Sequence, residues 1–552
     1  MNAPLHRFHG GIHPPTHKAE STTRPIAVAP LPPRLIIPFR QHAGDAAKPL
    51  VQAGARVLKG QRIGASSGFL SGSIHAPTSG VIESVGPHHI AHPSALPDLC
   101  AVLIPDGKEE WGTREPVDFR TLSPAALQQR LRNDGIVGLG GAAFPSDLKL
   151  RHPIPVRTLI LNGAECEPYI TCDDMLMRER AAEIVRGADI LRHALEAEEV
   201  LFGVEDNKPE AIAALQAALD AAHLPFWVIT VPTLYPSGSA KQLIKLLTGL
   251  EVPSGKLPTD IGVQCFNVAT AVAIKRALDD GEPLISRVVT VTGNVRQARN
   301  YQALIGTPFD HLLALSEVLP DTNRYIMGGP MMGIELPAAD VPLVKASNCV
   351  IAASDALFPP PPPALPCIRC TRCAQVCPAE LQPQDLYWFA KSNNFGKAEE
   401  WHLMDCIECG ACAYVCPSHI PLVHYYRYAK SEIRQRTLEK QAADRARERH
   451  EYRQFRLERE KQEKAERLAQ KERETAARAA QAASAATPDD TQQLRINEAL
   501  ARAKAQAAAA QPQNTDHLTP AQQQEIAEIE ARRAKLRELA AASGADDEPP
   551  KP

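Results

Sequence analysis

The spacing of apolar positions changes along the chain, and each change marks an element or a boundary. Residues 1–35 are rich in His and Pro and show no period, which predicts irregular backbone. Over 38–85, short apolar runs are broken by glycines (VQAGARVLKGQRIG, then SIHAPTSGVIESV), the pattern of short strands joined by tight turns. Over 120–250 the period alternates. LSPAALQQRLRNDG predicts a short helix opened by Ser123 and Pro124. RTLILNGAE predicts a strand from Thr158, and 174–196 a helix with Ile184, Val185, Ala188, Leu191 and Leu195 on one face. VLFGVE (strand), 209–222 (helix), PFWVITVPT (strand) and 239–247 (helix) follow. Alternating strands and helices predict an α/β layer with a largely parallel sheet, whose ligands sit at the carboxyl ends of the strands. From Ser286 the chain turns β-rich again (RVVTVTGNV) before a helix in PFDHLLALSEVL. Beyond about Ala429 the chain reduces to Ala, Arg, Glu, Lys and Gln, with opposite charges at i,i+4 and no sustained heptad. That predicts a solvated helix rather than a coiled coil, a polar break at 487–493, a second helix at 520–541 and a disordered end.

At 552 residues the chain is long enough for several domains, and its net charge of −3 gives no reason to expect nucleic acid as a partner. The opening MNAPLHRFHGG lacks the apolar core of a signal peptide, and no apolar run approaches the roughly 18 residues of a membrane span. Attachment to a membrane would therefore go through partners. Five prolines at 359–363 predict a stiff extended spacer.

Directly after this spacer comes the strongest chemical signal. CIRCTRCAQVCP and CIECGACAYVCP place Cys367, Cys370, Cys373, Cys377 and Pro378, then Cys406, Cys409, Cys412, Cys416 and Pro417, at the spacing of two-cluster bacterial ferredoxins. In that spacing the first three cysteines of each run hold one cube and the fourth reaches the other. The expected sets are Cys367, Cys370, Cys373 and Cys416 for one [4Fe–4S] cluster, and Cys406, Cys409, Cys412 and Cys377 for the second. Structural zinc also takes paired thiolates, but has no use for the third close cysteine or the trailing proline. Thiols committed to such clusters indicate a reducing compartment. Of the thirteen cysteines, Cys100, Cys166, Cys172, Cys265 and Cys349 remain outside the motif. Cys166 and Cys172 lack partner histidines and read as bystander thiols.

Two stretches of the α/β region are candidates for feeding such a wire. In GIVGLGGAAFPSDLKL (135–150), Gly138, Gly140 and Gly141 let backbone N–H groups approach a phosphate, and Lys149 offers a cation. Taken alone this is an ordinary glycine turn, since the full dinucleotide-binding spacing is absent and no strand leads into it. In LNGAECEPYITCDD (161–174), Glu165 and Glu167 flank Cys166 at a strand end, where carboxylates either bind ribose hydroxyls or are simply solvated.

GLGGAAFP with Lys149, NGAECEPY, YPSGSAKQLIKLLTG and NVATAVAI occur in the order and spacing of the 51 kDa-type flavoprotein subunit of respiratory complex I, which the chain thus resembles. The whole arrangement resembles more closely the RnfC family of Rnf/Rsx ion-translocating electron-transport complexes. The implied fold class is multidomain α/β. It comprises a barrel-sandwich hybrid (1–115), an FMN/NADH-binding α/β domain (116–283), a β-grasp module (284–340), a Pro-rich linker (341–366), a ferredoxin-type domain with two clusters (367–430) and a charged tail (431–552). The barrel-sandwich hybrid has no lysine between Gly60 and Gly80 for a swinging cofactor, and the lone His75 there reads as structural. By position, the resemblance implies Gly138, Gly140, Gly141 and Lys149 around the FMN phosphate and NADH, and Glu165 and Glu167 near ribose and flavin. It also implies Tyr235, Gly238, Asn267 and Thr270 as flavin contacts. Ser239 and Ala240 stand where complex I relatives carry an acidic pair. The resemblance further implies electron flow from NADH through FMN to two clusters. The implied partners are integral membrane subunits and an iron–sulfur subunit, at the cytoplasmic side of an inner membrane. The alternatives are the diaphorase subunit of a soluble hydrogenase or formate dehydrogenase, and a wire or scaffold with a degenerate flavin site.

Overall fold

The computed structural model describes residues 5–151, 154–484, 490–509, 524 and 526–535. The chain divides into two compact units, Met1–Lys440 and Gln441–Pro552.

In the first unit, the region read as short strands forms two small sheets. One orders Leu35–Pro38, Pro97–Pro105, Gly80–His89 and Arg56–Val57, and the other Lys48–Pro49, Arg62–Ala65 and Ile74–His75. Leu35, Ile37, Phe39, Ile63, Ile74 and Leu103 fill the space between them. His75 is buried here, and burial pushes its pKa down to about 3, so it is a neutral core residue.

The α/β region folds around a parallel sheet in the order Trp227–Val231, Glu199–Glu205, Thr158–Gly163, Val263–Asn267. Alternate side chains of one strand point to opposite faces. Leu159 and Leu161 thus pack with Ile184, Val185 and Leu191 of the helix Cys172–Leu195, and Ile160 packs with Leu243, Ile244 and Leu247 of Ala240–Thr248. Ser123 caps the helix Pro124–Asn133 by accepting from the Ala126 N–H, as its Ser-Pro start predicts. The chain runs outward from Thr158–Gly163 on one side, then returns to place Val263–Asn267 on the other. The crevice at the carboxyl ends of these two strands is the switch point at which open α/β sheets bind ligands.

The β-rich region forms a six-stranded sheet, with Ser286–Gly293 and Cys349–Ala353 parallel at its centre. All five residues of Cys349–Ala353 are buried, yet they lie inside the stretch expected as a linker. Prolines dominate a reading of that stretch, whereas the strand is specified by a partner far upstream in sequence. The exposed prolines begin only after it. Ala27–Val28 adds an edge strand to the same sheet, so the N-terminal residues belong with this module and the α/β domain as well as with the barrel-sandwich.

The third cysteine of each run, Cys373 or Cys412, sits in one short helical turn, Arg372–Gln375 or Ala411–Tyr414. Leu386, Tyr387, Phe395, Leu403 and Tyr426 form the core beneath. The helix Leu422–Ser484 starts there, and its last deeply buried side chain is Ile433. In the second unit the helical backbone is exposed and carries ion pairs such as Arg456–Glu460 and Arg459–Glu463 at i,i+4, as the charge pattern predicts. The helix Asp490–Ala509 begins within the expected break, whose earlier residues 487–489 lie outside the described residues. Of the expected helix at 520–541, only residues 524 and 526–535 are described, and they are helical. Among the described residues no helix is long and apolar enough to cross a membrane.

Candidate functional site: a sheet-end crevice against a cysteine site

The two expected cysteine sets differ in depth. Cys377, Cys409 and Cys412 are buried and Cys406 half-buried, whereas Cys370 is exposed and Cys367, Cys373 and Cys416 are half-buried. All four members of the inner set line one apolar cavity with Leu386, Val423 and Tyr426. Burial pushes the thiols of Cys409, to about 12, and of Cys406 and Cys377 upward. Lys430, whose ammonium group donates to Cys406 O at 2.6 Å, offsets only part of this at Cys406. Four converging sulfurs in an apolar chamber fit an iron–sulfur cube, whose metal charge stabilises the thiolates that the bare protein disfavours.

The second site is the switch-point crevice. The glycine loop crosses it: the Gly138 N–H donates to Phe144 O (2.8 Å) and the Leu139 N–H to Thr270 Oγ1 (2.9 Å). Among the described residues, the amides of Gly140, Gly141 and Ala142 donate to nothing in the chain, and they are exposed. A Cβ on Gly140 would sit 3.3 Å from the Asn267 side chain, so the loop lies directly on that asparagine. Adjacent free amides on a tight glycine loop fit an anionic phosphate. Asn267 caps the helix Val268–Asp279 by accepting from the Ala269 and Thr270 N–H groups, and its own Nδ2 donates to Asp173 Oδ2 (2.5 Å). Glu165 accepts from the Asp173 and Asp174 N–H groups at the start of Cys172–Leu195 (2.7 and 3.2 Å). A continuous hydrogen-bond network thus links the glycine loop to Glu165. Burial raises the pKa of Glu165 and takes Asp173 to about 7, with Glu165 the next contributor for Asp173.

Glu167 points the other way. Its carboxylate accepts from the Met331 and Met332 N–H groups (2.7 and 2.9 Å) of the six-stranded-sheet module. Gly329 makes room for it, since a Cβ there would lie 2.0 Å from Glu167 Cγ. The Tyr235 hydroxyl donates to Cys409 O at 2.5 Å, and burial, with the Glu167 charge next, keeps the phenol protonated. The next turn is fixed by the Gly238 N–H to Cys166 Sγ (3.2 Å) and by Asn162 Nδ2 to Gly238 O (2.8 Å). Ile12, Tyr235, Cys409 and Ala411 form one small core, so the crevice domain is packed against the inner cysteine set.

Lys149 stands apart from this network. Its ammonium group donates to Cys265 O and lies 4.7 Å from the Phe266 ring centroid, and burial lowers its pKa. Ser239 occupies the cap position of Ala240–Thr248, so no carboxylate stands there. Several residues at the site give no sequence signal. Lys18 and Glu205 are buried within it, the latter paired to Lys208 at 2.8 Å and accepting from Ser237 Oγ. Asp173 lies within 161–174, but nothing in its local pattern sets it apart from its acidic neighbours.

The Nuo51 FMN-binding domain profile matches residues 131–276, the RnfC barrel-sandwich hybrid domain 6–108 and the 4Fe-4S dicluster domain 364–441. The RnfC protein of the ion-translocating oxidoreductase complex of Yersinia pseudotuberculosis serotype O:3 is 49% identical over 405 residues, covering 72% of this chain and 57% of that protein. The same-named protein of Vibrio cholerae serotype O1 is 50% identical over 449 residues, covering 80% and 58%. The chain thus spans less than two thirds of the length of these curated relatives. Chains of an NAD+-reducing [NiFe]-hydrogenase, air-oxidized and H2-reduced, align with TM-scores of 0.40 and 0.42 at 20% identity, covering 50% and 58% of this chain and 54% and 64% of theirs. That degree of likeness carries no functional weight. With its three matched domains in this order and half of its residues shared across most of its length, the chain belongs to the RnfC family of ion-translocating oxidoreductase complexes.

Proposed function

We propose that this chain is the peripheral electron-input subunit of a membrane-bound, ion-translocating complex, with electrons passing from NADH through FMN to two [4Fe–4S] clusters. FMN, when bound, supplies the conversion between the electron pair of a hydride and the single electrons that a cluster accepts. The open amides of Gly140, Gly141 and Ala142 cradle its phosphate. Asn267 and Thr270 hold the glycine loop, Glu165 stands on the far side of the crevice, and Glu167 faces Tyr235 and the inner cysteine set. The observation that carries the reading is the Tyr235 hydroxyl bonded to the Cys409 carbonyl, which supports the inner cysteine set as the first electron acceptor. The outer set, with Cys370 exposed, is then the exit. Arg369 and Arg372 beside it are exposed and, among the described residues, form no ion pair, which favours an acidic iron–sulfur partner. Integral partner subunits hold the chain at the cytoplasmic face of the membrane and move the ion.

The test is anaerobic addition of NADH to the purified protein. Bleaching of the flavin band followed by cluster reduction is expected. The second reading is an electron wire without dehydrogenase activity, favoured by the missing carboxylates at Ser239 and Ala240. Absence of flavin after gentle purification, together with no response to NADH, would establish that reading instead.

A further inference from the structure

The residues before the barrel-sandwich are irregular, as their composition predicts, but they are a strap laid over the site. The Gly11 N–H donates to Val376 O, Ile12 pairs with Tyr235, and His9 Nδ1 donates to Cys377 O at 2.9 Å. Further along, His17 stacks on Tyr169 with ring centroids 4.5 Å apart, and the Tyr169 N–H donates to Thr16 O. Next to these contacts Lys18 turns inward and is 9% exposed.

We propose that Lys18 is a positioning residue for the crevice, its ammonium group fixing the loop 164–171 that presents Glu165 and Glu167. This rests on the functional reading above. Lys18 Nζ donates to Glu165 O (2.7 Å), Glu167 O (3.0 Å) and Ile170 O. An ammonium group has three N–H bonds, and here each meets a carbonyl of the same loop. The loop needs such a clamp because two of its non-glycine residues, Glu165 (φ 50°) and Tyr169 (φ 70°), are in the left-handed region, which costs energy unless the surroundings enforce it. It carries no strand or helix ladder of its own. Its end amides are tied to side chains, Ala164 N–H to Asn162 Oδ1 and Thr171 N–H to Thr290 Oγ1. The cation also lies 3.9 Å from Glu165 Oε2, so it offsets part of the negative charge gathered by Glu165, Glu167 and Asp173. Withdrawing it orphans three carbonyls and frees both acids, one directed at the glycine-loop network and the other at Tyr235 and the inner cysteines.

The full-length protein and its Lys18→Met variant are compared by hydrogen–deuterium exchange, iron content and steady-state NADH oxidation with an artificial acceptor. Lys18→Met is expected to speed amide exchange at 164–171 and at Met331 and Met332 by about tenfold or more. It is also expected to lower kcat/KM for NADH by up to about 10²-fold, mainly through KM. Iron content stays at the wild-type level. Wild-type exchange and an unchanged KM in the variant would overturn the proposal. If Lys18→Met does not accumulate, Lys18→Arg is measured with the same two outcomes, since a guanidinium keeps the charge but cannot aim three bonds from one nitrogen. If exchange rises in the variant while the wild-type protein ignores NADH, the clamp stands and the dehydrogenase reading falls.

Discussion

At the scale of single residues, Tyr235 joins the two chemistries. The resemblance assigns it to flavin, but its hydroxyl serves the backbone of Cys409, a proposed cluster ligand, and it is 3% exposed. An O–H dipole directed at the Cys409 carbonyl withdraws electron density next to an inner sulfur. Tyr235→Phe should therefore lower the midpoint potential of one cluster while leaving the other in place, and cost about 1 kcal/mol of stability. An EPR-monitored redox titration with a thermal melt checks this, and two unmoved potentials would refute it. Residue identity is legible where spacing is local. Cys377, Cys406, Cys409 and Cys412 lie in short motifs and line one cavity, and Asn267 and Thr270, also in one motif, both meet the glycine loop. Lys149 stands out in the sequence for its charge, but only the fold shows that its ammonium group is taken by Cys265 O.

At the scale of elements, the modules are tied by buried polar contacts that no periodicity announces. Lys345, just before the strand Cys349–Ala353, donates to Ser73 O of the barrel-sandwich (2.8 Å) and to Gly135 O before the glycine loop (2.7 Å). Burial takes its pKa from 10.5 down to about 7. Its charge also helps to hold the buried His42 and His75 neutral, second to burial in both. The folded chain therefore releases this proton near pH 7, while the unfolded chain keeps it up to about 10.5, so the unfolded state binds more protons in between. Stability gains from this group as pH rises from about 7 towards 10.5, and below 7 the cost of burying the cation is felt in full. Melting temperatures across that range should rise more steeply, or fall less steeply, for the native chain than for Lys345→Met. Parallel slopes would show that the amine does not titrate there. Strand and helix positions in the α/β layer are legible because each buries one face at a fixed period. Cys349–Ala353 is not, because five buried residues with a distant partner look like any apolar stretch.

At the scale of the whole molecule, every candidate site residue lies in the unit Met1–Lys440. The tail repeats exposed charges, and surface ion pairs of this kind contribute little to stability. A chain ending at Lys440 should keep its iron content, its flavin and its response to NADH, as assayed on the purified truncation. Loss of NADH oxidation with clusters intact would show that the tail acts on the site.

The sequence by itself determined the proposed ligands of the wire, the alternating α/β layer and the solvated tail. In each case one short stretch contains all the information, through cysteine spacing, side-chain period or charge spacing. Only the tertiary structure decided which cysteine set faces the crevice, that the N-terminal strap supplies a buried cation to it, and that Glu167 and Tyr235 connect the glycine-loop domain to the inner sulfurs. These contacts join residues more than a hundred positions apart. Their specificity comes from satisfying buried donors and acceptors across modules, and nothing in the local sequence around either partner records it.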